Sequence, residues 1–95
     1  MKKETVLKEA VKQWGVDAQC AVAIEEMAEL IKELIKLKRA DYRYSAESIQ
    51  PLIEEVADVR LMIEQVIYMF DISTDDIDDI SERKLNKIAG RLGLK

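Results

Sequence analysis

The chain has 95 residues and a mass of 10.9 kDa, enough for one small domain spanning residues 1–95. Its 15 Lys and Arg against 19 Asp and Glu leave a net charge of −4 and a pI near 4.9, which argues against the basic face of a nucleic-acid-coating protein. It contains no histidine, which excludes His-ligated zinc, Ser-His-Asp and Cys-His nucleophiles, and Glu-x-x-His di-iron bundles.

Glycine occurs only at 15, 90 and 93, and proline only at 51, with Ala, Leu, Ile, Glu, Lys and Met between them. That composition predicts helices and no hairpins. The first helix is expected from about Lys3 to Gln13, with Val6, Ala10 and Val11 as its apolar side, ended by Trp14-Gly15. The second is expected from Asp17, a candidate N-cap, to Arg39. Its positions Ile24, Met27, Ala28, Ile31, Leu34 and Ile35 follow helical spacing and predict one core stripe, widened by the heptad Ala23, Leu30 and Leu37. So wide an apolar arc predicts contact with a second subunit as well as with the rest of the chain. Lys36, Lys38 and Arg39 suit the negative end of the helix dipole.

A polar connection from Asp41 to Glu47 carries Tyr42 and Tyr44. The third helix is expected from Ser48, as its cap, to Phe70, with Pro51 in the first turn. Its expected core face is Leu52, Val56, Val59, Ile63, Val66, Ile67 and Phe70. The fourth is expected from Thr74, with Asp75, Asp76, Asp78 and Asp79 at its positive end, through Ile77, Ile80, Leu85 and Ile88 to a stop at Gly90. The fold class is therefore all-α: a four-helix chain whose antiparallel helices form a bundle completed by homo-oligomerisation. No run approaches the roughly 20 apolar residues of a membrane span, and the opening Met-Lys-Lys-Glu-Thr has no signal-peptide character. With Cys20 as the sole cysteine, a reducing, cytoplasmic setting is expected.

Two acidic clusters carry the chemistry. Glu25-Glu26-Met27-Ala28-Glu29 lies in the second helix and Glu54-Glu55-Val56-Ala57-Asp58 in the third. Glu26 and Glu29, and again Glu55 and Asp58, are three apart and share a helix face, about 5–6 Å apart at Cβ. Glu26 flanks the Ala23-Leu30-Leu37 stripe, and Asp58 neighbours Val59 and Met62, so these acids border helix–helix seams. Four carboxylates at a seam pay repulsion and desolvation, which a hard divalent cation removes. Without His or Cys partners, an oxygen-seeking ion, Mg²⁺ or Mn²⁺, is expected. The bland alternative is a solvated acidic face.

Glu-Glu-x-x-Glu followed after 25 residues by Glu-x-x-Asp resembles the MazG-like branch of the all-α nucleoside triphosphate pyrophosphohydrolases. The surrounding Ala23-Ile24, Ala28-Glu29-Leu30 and Glu54-Glu55-Val56-Ala57-Asp58-Val59 are similar too, over roughly Trp14 to Ile88. The resemblance implies helical homodimers or homotetramers that cleave a nucleoside triphosphate to the monophosphate and pyrophosphate with Mg²⁺. By motif, it makes Glu26, Glu29, Glu55 and Asp58 metal ligands, and Glu25 a further ligand or the group that orients the attacking water. Lys84 and Lys87, helped by Arg91, would close the phosphate site, although Glu82 stands where some relatives carry Asn. Trp14, Tyr42 or Tyr44 could stack on the base, Trp14 being the assigned candidate. Two alternatives stand beside this. A phosphoribosyl-ATP pyrophosphatase would show a basic residue where Val22 stands, and a histidine. A non-enzymatic helical dimerisation module would need no metal.

Overall fold

The computed structural model describes residues 1–94. It holds four helices, α1 (Lys3–Trp14), α2 (Val16–Arg39), α3 (Gln50–Met69) and α4 (Thr74–Arg91), and no strand among the described residues. No helix among them is long and apolar enough to cross a membrane.

The helix ends depart from expectation in instructive ways. Gly15, at φ 91°, separates α1 from α2, and it is Gly15, not Asp17, that occupies the N-cap of α2. Asp17 falls in the first turn, where its charge still meets the positive end of the dipole. Ser48 does not cap α3. It exchanges hydrogen bonds with Ser45, each backbone N–H donating to the other's Oγ at 2.8 and 3.0 Å, and the helix starts at Gln50. Ser73, one residue before the expected start, caps α4 by accepting from the Asp76 N–H at 3.4 Å.

Gly90 does not stop α4; the helix continues to Arg91, and Gly93 at φ 72° ends it. There the Leu94 N–H reaches the Ala89 carbonyl at 2.8 Å, and the Gly93 N–H reaches Gly90. This six-to-one closure recurs at the end of α2, where Tyr42 N–H bonds Leu37 O, and of α3, where Ile72 N–H bonds Ile67 O. In those two cases Asp41 and Asp71 hold the left-handed position usually given to glycine, at φ 59° and 50°. Aspartate tolerates that region better than most residues.

Helices α2 and α3 form the main packed pair, and α1 lies against both. The pairing of α2 with α3 is antiparallel: Leu37 and Leu52 share a recess near the connection, while Glu26 meets Glu55 and Asp58 farther along. Helix α1 is tied to α3 by Lys3 Nζ–Glu64 at 2.8 Å, by the Lys8 ammonium 5.4 Å from the Tyr68 ring centre, and by Gln65. Gln65 is only 1% exposed and its Nε2 donates to the Leu7 carbonyl at 3.1 Å, while its Oε1 is buried without a partner. Gln65→Ala removes that bond and leaves a cavity, so it is expected to cost about 2–3 kcal/mol in thermal or urea unfolding. Gln65→Met keeps the volume and removes the orphan oxygen, and should shift stability by less than about 1 kcal/mol. A larger loss with Met than with Ala would refute this account.

The expected core stripe of α2 is corrected. Ile24 is 68% exposed and Ile31 58%, with Met27, Leu34 and Ile35 also exposed. The seam is instead lined by buried Ala23 and half-buried Leu30 and Leu37. At about 100° per residue these three span about 40°, and Ile24, Ile31 and Ile35 lie about 100° around the helix from Ala23. On α3 likewise, Val59 is buried and Leu52, Val66 and Ile67 are half-buried, but Val56, Ile63 and Phe70 face outward. Helix α4 shares no extensive packed face with the other three, and Ile80, Leu85 and Ile88 are exposed. The chain therefore shows 7747 Å² of accessible surface, against about 5,600 Å² for a compact monomer of its mass. Its radius of gyration is 16.7 Å, where about 12.4 Å is usual for this length.

Candidate metal centre

Three carboxylates converge where α2 crosses α3. Ala23 and Leu30 carry the intervening Glu26 to the edge of the seam. On α3, Val59 is buried, and Asp58 beside it and Glu55 one turn earlier are turned toward the same edge. Glu26, Glu55 and Asp58 each offer an oxygen within 4.8 Å of the other two. Glu26 Oε2 and Glu55 Oε2 are buried and make no hydrogen bond. The ion pairs among the described residues lie elsewhere, at Lys3–Glu64, Lys8–Glu4, Lys36–Glu33 and Arg43–Asp41, so no cation neutralises the trio.

The electrostatic consequence falls on Glu26. Its carboxyl is pushed up from the ordinary 4.5 to about 7, first by the Asp58 carboxyl, close enough to share its proton, then by loss of water, then by the charges of Asp58 and Glu55. Glu26 therefore keeps its proton to a higher pH than an ordinary carboxyl.

The donor set fits a hard divalent cation. All ligand atoms are carboxylate oxygens, and two of them lack any partner. Oxygens sharing one Mg²⁺ at about 2.1 Å stand no more than about 4.2 Å apart, near the 4.8 Å within which these three lie.

The remaining expected site residues are placed as follows. Glu29, one turn beyond Glu26, is exposed and does not join the trio within that distance. Glu25 is exposed on the adjoining face of α2. Lys84 and Lys87 line an open recess of about 420 Å³ on α4 with Ile80 and Arg83, and Arg91 lies beyond it. In the single chain that helix is not packed over the trio. Trp14 is 64% exposed and borders a broad groove of about 780 Å³ formed by residues of the first 14 alone. A recess of about 250 Å³ at the α2–α3 connection is bordered by Tyr44. Its only signal in the sequence is the tyrosine itself.

Comparison with protein-family models, with curated proteins and with solved structures finds no match.

Proposed function

We propose that this chain is a Mg²⁺-dependent pyrophosphohydrolase of nucleoside or deoxynucleoside triphosphates, acting in control of the nucleotide pool and similar to the MazG-like family. The observation that carries the proposal is the trio: three unneutralised carboxylates from two helices, with two partnerless oxygens at a seam. Glu26, Glu55 and Asp58 would hold the ion, and Glu29, on the same side of α2, would complete the set. When bound, Mg²⁺ (or Mn²⁺) supplies neutralisation of triphosphate charge and a lowered pKa for a coordinated water.

The chain's own groups do the rest. A water oxygen bonds to the α-phosphorus while the bond from that phosphorus to the α–β bridging oxygen breaks, so pyrophosphate departs and a monophosphate remains. Glu25 orients that water or accepts its proton; an exposed carboxylate beside the trio suits this role. Lys84, Lys87 and Arg91 supply positive charge for the phosphates. Because α4 shares no extensive packed face with α2 or α3 within the chain, assembly as a homodimer or homotetramer is part of the proposal. The outward apolar residues of α2 and α3 and the excess surface support that assembly.

The test is a screen of the common nucleoside triphosphates and their damaged forms, reading pyrophosphate against orthophosphate. Pyrophosphate should accumulate from at least one of them only with divalent metal, and Glu29→Gln should slow the reaction by about 10–100-fold with helicity intact. Absence of pyrophosphate from every substrate with both Mg²⁺ and Mn²⁺ would disprove the activity. The exposed apolar faces by themselves also suit a helical dimerisation module without catalysis. In that case Glu29→Gln is silent and Mg²⁺ leaves the melting temperature unchanged.

A further inference from the structure

A recess of about 250 Å³ lies at the α2–α3 connection, between the two helices that carry the acidic trio. Its lining is apolar at Leu37 on α2 and at Pro51 and Leu52 on α3, and polar at Glu33, Lys36, Tyr44 and Arg43, whose guanidinium lies 3.8 Å from Asp41. Glu33 stands seven residues beyond Glu26, on the same face of α2 and about 10 Å along its axis. Leu52 is one turn before Glu55 on α3. A ligand with one end at the trio and the other in the recess would lie along the seam.

The connection beside the recess is closed by local hydrogen bonds. Asp41 and Tyr42 are both left-handed, at φ 59° and 61°, without a glycine in the connection. Tyr42 N–H bonds Leu37 O at 2.9 Å, and the reciprocal Ser45–Ser48 bonds close the other side. The Glu33 side chain is 13% exposed, and Lys36 Nζ donates to its Oε2 at 3.2 Å. A carboxylate acceptor thus sits next to an ammonium donor, in a recess also lined by apolar side chains and an aromatic ring. The complementary ligand is a flat heteroaromatic ring whose edge carries a carbonyl followed by two N–H donors.

We infer that this recess is the base subsite of the proposed enzyme and that it selects guanine. The guanine carbonyl faces Lys36, its ring N–H and amino group donate to Glu33, and Tyr44 stacks on the ring. Uracil and thymine set a carbonyl against the Glu33 carboxylate. Adenine and cytosine offer one amino donor next to a ring nitrogen whose lone pair the carboxylate repels. The inference rests on the pyrophosphohydrolase proposal for the phosphate end of the ligand, and on the recess alone for the base.

Nucleosides separate the two, since they carry no phosphate and need no metal. The full ¹⁵N-labelled chain, without divalent ions, is titrated with guanosine, adenosine, cytidine and uridine, and the amide shifts are followed. Guanosine should perturb Leu37, Tyr44 and Ser48 and bind about 10-fold tighter than the others, as expected when a buried polar edge is left unmatched. Tyr44→Ala and Glu33→Gln should each weaken it about 10-fold, and Trp14→Ala should not. Tyr44 is exposed, so its loss should leave helicity unchanged by circular dichroism. Equal affinities for the four nucleosides, no shift at the recess, or unchanged binding in both variants overturns the subsite. If guanosine binds there and no triphosphate is cleaved, the activity falls and the subsite stands. If cleavage occurs but Glu33→Gln leaves base preference unaltered, the subsite falls and the activity stands.

Discussion

The metal-free protein is expected to lose stability as the pH rises from about 4.5 to about 7, and Mg²⁺ is expected to restore it at pH 8. Glu26 binds its proton more tightly in the fold, at about 7, than at the ordinary 4.5 of an unfolded chain. The stability that proton contributes is fully present below 4.5 and is gone once the pH has passed about 7. After allowance for solvent screening at this half-buried group, the loss is on the order of 1–2 kcal/mol, or about 5–15 °C in melting temperature. A cation bound only by the folded trio offsets it by mass action. Glu26→Gln keeps the shape and removes the titration. The variant should show a flatter pH profile, melt higher than the parent at pH 8 without metal, and respond little to Mg²⁺. Thermal melts of both proteins from pH 4 to 8, with and without Mg²⁺, decide it. A parent protein that grows more stable between pH 5 and 7, or a variant with an undiminished Mg²⁺ response, counts against this site.

Ile31→Glu is expected to break the assembly and lower stability by about 3–5 kcal/mol, the effect of an unpaired charge in a buried contact. Ile31 lies in the middle of the outward stripe of α2 and is 58% exposed in the single chain. Within an isolated monomer the same substitution lands on the surface and should stay within about 0.5 kcal/mol. The two cases therefore separate cleanly. Sedimentation velocity should show the parent as an oligomer and the variant as a monomer, with a lower melting temperature. Equal masses and equal melting temperatures would remove the oligomer from the proposal. The expected size of the effect follows from how little the chain buries alone: Leu7, Ala23 and Val59 are its only fully buried apolar residues among those described. Gln19 and Gln65 share that interior.

The four helices were legible because their signals are local. Gly15 and the polar connections interrupt periodic apolar segments, and Pro51 sits where a helix tolerates it. The ends were less so, because Asp41 and Asp71 take positions for which glycine is the usual marker, while Gly90 stays helical and Gly93 provides the stop. Among the acids, the i, i+3 spacing of Glu55 and Asp58 and the place of Glu26 beside Ala23 pointed to the seam, and these three do meet. Glu29 has the same spacing from Glu26 but stays exposed, since Glu26 already borders the seam and three more residues turn the side chain about 60° farther from Ala23.

By itself the sequence determined the helical class, the absence of histidine chemistry, and the presence of a wide apolar arc and two acidic clusters. Only the tertiary structure decided which apolar stripe makes the seam, which acids converge, and that α4 stands apart. Periodicity records that a face is apolar or acidic but not what lies across from it. Rotating α2 by about 100° exchanges the Ala23 and Ile24 stripes with no change in local propensity. The choice between them is made by packing against α3 and α1, through contacts such as Gln65 with Leu7 that join residues far apart in the chain.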